Sequence, residues 1–223
     1  PVVKYNSRPN LIESVLEVPG PTPMSYDVRP VPHGKVDIRL YDSKATGSTR
    51  RAFVYTPPGY ETSTARLPVL YLLHGADGDE TVWTQYGRMN LILDNLIADR
   101  KASPMIVVTP AAYAYPPIGG VATEKQRADF EKDLLGDLIP FVEKRFRALP
   151  GRENRALAGL SMGPGLTLTV AVKRLDVFAS IGVLSSGSLR DATAGMANLQ
   201  TIKRDFLADL GRLCPQLRGL IGG

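Results

Sequence analysis

Apolar and polar residues alternate along "KVDIRLYDS" and again along "TRRAFVYTPPGY", with "KATGS" between them, and this pattern predicts a β-hairpin. Downstream the pattern changes. "LPVLYLLHG", "PMIVVTPAA", "NRALAGLS" and "FASIGVLSSG" are short, almost wholly apolar runs that end in small or turn residues, as strands buried on both faces of a parallel sheet require. Segments of helical period stand between them. Met89, Ile92, Leu93, Leu96 and Ile97 fall on one face of "YGRMNLILDNLIADRK"; Phe130, Leu134, Leu138, Ile139 and Val142 do so in "FEKDLLGDLIPFVEKRF", where Pro140 is expected to kink the helix. "GLTLTVAVKRL" is rich in β-branched residues, yet it must carry the chain back between two strands and is read as a helix. "LQTIKRDFLADLGRL" is read as a last amphipathic helix. Strand, helix and strand in repetition predict an α/β fold with a doubly wound, mostly parallel sheet. Residues 1–33, rich in Pro and polar residues, are expected to form an extended N-terminal arm, and residues 34–223 a single domain.

Composition narrows the function classes. A chain of 223 residues, 43% hydrophobic, suits one sizeable core. The net charge is +5, but Lys and Arg are interleaved with Asp and Glu along "TEKQRADFEKDLLGDLIPFVEKRFR", as on a solvated helix face, so no nucleic-acid partner is expected. No apolar run approaches the roughly 20 residues that span a bilayer, so no membrane partner is expected either. The single Cys214 offers neither an internal disulfide nor a metal cluster. A start at Pro1 suits either signal removal or a trimmed start; a secreted or periplasmic location is the weakly favoured expectation, with a cytoplasmic one and homo-oligomerisation left open.

The chemistry-bearing stretch is "RALAGLSMGPGLTLTV", which sets Gly-x-Ser-x-Gly between a buried strand and a helix. There Ser161 would occupy a strained strand-to-helix turn, with Gly159 and Gly163 allowing close backbone approach, and its hydroxyl would rise at the carboxyl edge of the sheet. The following helix would present free N–H groups to a developing oxyanion, Met162 first. The plain alternative is a tight connection without chemistry. "LLHGADGDE" follows another buried strand, and its His74–Gly75 pair matches the loop that supplies a second oxyanion donor, the backbone N–H of Ala76. His74 would hold that loop in shape and would not act as general base.

In order and spacing, "VYTPPGY", "LPVLYLLHG", "GRMNLILDNLIADRKASPMIVVTP", "FEKDLLGDLIPFVEKRF" and "RALAGLSMG" resemble the esterase D-like branch of the α/β-hydrolases. Within it, the chain is most similar to bacterial feruloyl and acetyl-xylan esterases of carbohydrate esterase family 1. The resemblance implies an α/β-hydrolase fold and a serine esterase acting on small or polysaccharide-linked esters, with no metal or organic cofactor. It carries Ser161 onto the nucleophile, Met162 and Ala76 onto the oxyanion positions, His74 and Gly75 onto the supporting loop, and Trp83 onto the border of the substrate mouth. Relatives often continue the His-Gly loop with glycines, where this chain has "ADGD", including Asp77 and Asp79.

The triad order serine, acid, histidine then poses a problem. The chain holds only His33 and His74, and both precede Ser161. Asp176, Asp191, Asp205 and Asp209 follow it, but none follows an evident further strand, so no acid is assigned. Three explanations stand. The C-terminal strands that carry acid and base are absent from this chain; or His33, in the family-like stretch "VPHGKV", serves as a surrogate base; or the domain binds esters or sugars without turning them over. A thioesterase or acyltransferase on the same fold would share every residue named.

Overall fold

The structure, a computed structural model, describes residues 2–5, 12–15, 20–76, 78–114 and 123–184. Within the expected N-terminal arm, β1 (Val2–Tyr5) and β2 (Ile12–Val15) pair antiparallel. The β-branched residues Val2, Val3, Ile12 and Val15 suit this ladder. Residues 25–34 run over a helix. Asn95 donates from Nδ2 to the carbonyls of Ser25 and Asp27, both at 2.9 Å, and Arg29 pairs with Asp99 at 2.8 Å.

The alternating runs form the hairpin β3 (Lys35–Ser43) and β4 (Ser48–Thr56), in register from Lys35–Thr56 to Ser43–Ser48. The apolar runs are β5 (Val69–Leu73), β6 (Ile106–Pro110), β7 (Arg155–Leu160) and β8 (Ser180–Leu184). Six strands make one sheet in the order β3-β4-β6-β5-β7-β8. β3, β4 and β6 meet antiparallel, whereas β6, β5, β7 and β8 run parallel. Val183 and Leu184 of β8 stay over two-fifths exposed, at 41% and 44%, so this strand is not buried on both faces among the described residues.

Helices cover both faces, as period-2 strands with two apolar sides demand. α1 (Val82–Gln85) and α2 (Met89–Ala98) pack on the side of Tyr55, Leu72, Val107 and Ala158. α3 (Glu124–Asp133), α4 (Ile139–Arg145) and α5 (Met162–Lys173) pack on the side of Val54, Tyr71, Leu73, Val108 and Leu157. The expected apolar face of the second helical segment is buried in full: Phe130, Leu134, Leu138, Ile139 and Val142 are each at most 5% exposed. Pro140 is accommodated by a π turn at Leu134–Leu138, whose i→i−5 bond from Ile139 N–H to Leu134 O shifts the ladder just before the residue that has no N–H. On α2 the outcome differs. Ile92, Leu93, Leu96 and Ile97 are only half-buried, while the polar Asp94 and Asn95 are buried because they anchor the arm.

Candidate active site at the carboxyl ends of the strands

β7 ends at Leu160 and α5 begins at Met162, so the single residue Ser161 must turn the chain. It does so at φ 58° and ψ −101°, a conformation costly for a residue with a Cβ. Two features hold it there. Its N–H donates to Leu184 O of β8 at 3.0 Å, and Gly159 sits in register between Leu73 and Val183. Ser161 is exposed and makes no side-chain cap to α5. Gly163 lies in the first turn of α5.

Gly75 follows β5, the strand beside β7. A Cβ added to it would stand 3.2 Å from Ser161 Cβ and 3.3 Å from Leu160 O, so glycine is what lets the loop lie against the serine. Among the described residues, neither Ala76 N–H nor Met162 N–H donates to a backbone acceptor. Met162 N–H is one of the orphan donors of a helix start. Ala76 is exposed in the turn that Gly78 closes by donating to Gly75 O at 3.2 Å. Ser161, Gly75, Ala76 and Met162 are thus brought together.

His74 is 1% exposed and both of its nitrogens are committed. Ala112 N–H donates to Nε2 at 2.9 Å, so Nε2 is unprotonated and Nδ1 carries the hydrogen that it gives to Gly75 O at 2.7 Å. The ring fixes the loop and has no nitrogen left to take a proton from Ser161. A Cβ at Gly78 would come within 3.0 Å of Nδ1, so the loop closes tightly around this bond.

His33 stands elsewhere. Its Nδ1 lies 2.9 Å from Asp94 Oδ2 and its Nε2 3.1 Å from Arg29 O. The same carboxylate accepts Gly34 N–H at 2.9 Å and Tyr55 OH at 2.7 Å. Tyr55 is level with Val107, Leu70 and Ala156 across the sheet, and Ser161 is five residues beyond Ala156. At about 3.3 Å per residue that separation is roughly 16 Å along the strands. His33 sits at the edge opposite the serine.

Trp83 is half-buried against the Tyr55 and Leu72 cluster, and its indole N–H donates to Leu73 O at 3.1 Å. Its polar end is thus engaged at the root of the His74 loop. Asp79 accepts the N–H and hydroxyl of Thr81 at 2.8 and 2.6 Å, which turns the chain into α1. Asp176 is exposed beside Arg174, which holds its carboxyl below the usual carboxylate range, and it precedes β8 at the edge away from Ser161. Asp77, Asp191, Asp205, Asp209, Cys214 and the expected last helix lie outside the described residues.

Arg50 was not singled out by sequence reasoning. It has the same parity on β4 as the buried Ala52 and Val54, and a cation at a core-facing position was the available signal. Only 8% exposed, it pairs with Asp133 at 3.1 Å and donates to the carbonyls of Ala111, Tyr113 and Ala114 at 2.6 to 2.8 Å. Tyr41 OH donates to the same Asp133 oxygen at 2.8 Å. Burial pushes the Asp133 carboxyl above its usual range while Arg50 draws it back down.

No group of three or more His, Cys, Asp or Glu that could hold a metal occurs among the described residues, and no helix there is long and apolar enough to cross a membrane.

The family model described as "Putative esterase" matches residues 43–204. Over 185 residues, 79% of this chain, the sequence is 38% identical to an endo-1,4-beta-xylanase/feruloyl esterase of Xylanibacter ruminicola. The match spans 25% of that protein's length. Among solved structures, a ferulic acid esterase is similar at 31% identity and a TM-score of 0.60, over 67% of this chain and 57% of that one. A CE1 ferulic acid esterase from the anaerobic fungus Anaeromyces mucronatus shares the fold at a TM-score of 0.65 and 23% identity, over 86% and 84% of the two chains. The chain therefore belongs to this esterase family and has the α/β-hydrolase fold.

Proposed function

We propose that this chain hydrolyses carboxylic esters through an acyl-enzyme on Ser161, with feruloyl or acetyl esters of plant polysaccharides as the substrate class. The observation that carries the reading is the exposed Ser161 held at φ 58°, ψ −101° with Gly75 packed against it. The substrate class is supported by the likeness to the feruloyl esterases.

On this reading Ser161 Oγ attacks the ester carbonyl carbon, and as the new C–O bond forms its proton passes to water, from which the departing alcohol oxygen is protonated. Ala76 N–H and Met162 N–H receive the charge that develops on the carbonyl oxygen. Collapse breaks the bond to the alcohol, which leaves with a proton, and water then releases the acid from Ser161. Neither histidine is assigned as the base, since His74 spends both nitrogens on the loop and His33 pairs with Asp94 at the far edge.

Hydrolysis of methyl ferulate and p-nitrophenyl acetate tests the reading, with mass spectrometry of the acid-quenched chain. Turnover with an acyl adduct on the peptide containing Ser161, both lost in Ser161→Ala, is the expected result. Turnover that persists in Ser161→Ala rejects it.

A further inference from the structure

We infer that Arg50 is a positioning residue for the oxyanion loop, acting across four adjacent strands through the loop after β6 and the ring of His74. The inference rests on the reading of Ser161 as nucleophile. The sheet order β4-β6-β5-β7 gives each link its neighbour.

The start of β4 lies at the carboxyl edge of β6, since Ala52 pairs with Pro110. There the guanidinium of Arg50 reaches Ala111 O, Tyr113 O and Ala114 O at 2.6, 2.8 and 2.8 Å. Binding three carbonyls of one short segment needs the planar fork that arginine has and lysine lacks. The clasped segment aims Ala112 N–H at His74 Nε2, 2.9 Å away, and this amide selects the Nδ1–H tautomer. Nδ1–H in turn holds Gly75 O at 2.7 Å, and Gly75 lies against Ser161. Each step has one donor and one acceptor. Only one tautomer satisfies both ends of the ring.

Asp133, 0% exposed, plays a separate part, because it compensates the buried charge from the Nε side while the two terminal nitrogens of the guanidinium make the carbonyl bonds, with Tyr41 OH on the same Asp133 oxygen. Its loss removes charge compensation but leaves the three carbonyl bonds. Loss of the fork does the opposite. The two residues can therefore be told apart.

The test reads the imidazole nitrogens of the full chain by 15N NMR, in a His33→Gln background that leaves His74 as the one histidine. In parallel, the rate of Ser161 labelling by a fluorophosphonate is measured. The parent is expected to show a single Nδ1–H tautomer. Arg50→Lys keeps a cation beside Asp133 but loses the fork; it should give an averaged mixture of tautomers and slow labelling about tenfold or more, as small displacements of reacting groups do. Asp133→Asn should melt earlier yet keep the single tautomer and the parent labelling rate. If Arg50→Lys does not fold, the double variant Arg50→Gln/Asp133→Asn leaves no lone buried charge and answers the same question. A single Nδ1–H tautomer with unchanged labelling in the Arg50 variant overturns the inference, as does an equal disturbance in Asp133→Asn. A parent that takes no label at Ser161, while its tautomer still depends on Arg50, refutes the nucleophile reading and spares the clamp.

Discussion

Gly75 faces Ser161 with no room for a side chain between them: a methyl group on Gly75 would meet Ser161 Cβ at 3.2 Å and Leu160 O at 3.3 Å. Neither neighbour yields easily, because Ser161 is tethered to Leu184 and Leu160 lies within the β7–β8 ladder. Gly75→Ala is therefore predicted to fold and to displace the Ala76 amide from the serine. Acylation should slow by roughly 10²-fold, the loss typical of one oxyanion donor. Stopped-flow acylation with p-nitrophenyl acetate checks this, and an unchanged rate would show that the loop's approach to Ser161 is not used.

Ala76 acts through its backbone, so its side chain should be dispensable. Ala76→Gly is predicted to acylate at close to the parent rate, whereas Ala76→Pro deletes the N–H and should cost about 3 kcal/mol of transition-state stabilisation. Equal rates for the two variants would remove Ala76 from the oxyanion site.

Asp94, 1% exposed, gathers His33, the Gly34 amide and Tyr55 OH at the opposite edge. Asp94→Ala strands those donors and is predicted to lower stability by about 3 kcal/mol in urea unfolding. His33→Ala should leave labelling of Ser161 unchanged. A large loss of labelling in His33→Ala would revive His33 as a base.

Much of this was legible in the sequence for physical reasons. Continuous apolar runs such as "LPVLYLLHG" exist because a parallel strand is buried on both faces, and the strand-to-helix serine follows from the short connection between β7 and α5. What escaped was polar and long-range. Arg50 lies 83 positions before its partner Asp133 in the sequence, and no local period links them. Asp94 and Asn95 interrupt an apolar helix face because the arm that they hold comes from far upstream. Pairing of β1 with β2 was hidden for a related reason: four-residue strands carry too few alternations to be read.

Asp176 follows Ser161 in the chain, as a triad acid would, but it is exposed and paired with Arg174. Its folded pKa is lowered, chiefly by the Arg174 hydrogen bond. Whatever stability the pair adds is present above the unfolded carboxylate value of about 4 and lost as pH falls through the lowered folded value. Solvent screening keeps it small. Asp176→Asn is predicted to shift Tm slightly at neutral pH, not at all in strong acid, and to leave ester hydrolysis unchanged. A hydrolysis defect at unchanged Tm would make Asp176 part of the site.

The most direct measurement is fluorophosphonate labelling of the full chain, followed by peptide mapping. An adduct on Ser161 that is absent from a folded Ser161→Ala variant is predicted, because the strained turn presents the hydroxyl beside two amides that have no backbone acceptor among the described residues. An adduct on another residue, or labelling that survives Ser161→Ala, would contradict the assignment of Ser161 as the nucleophile.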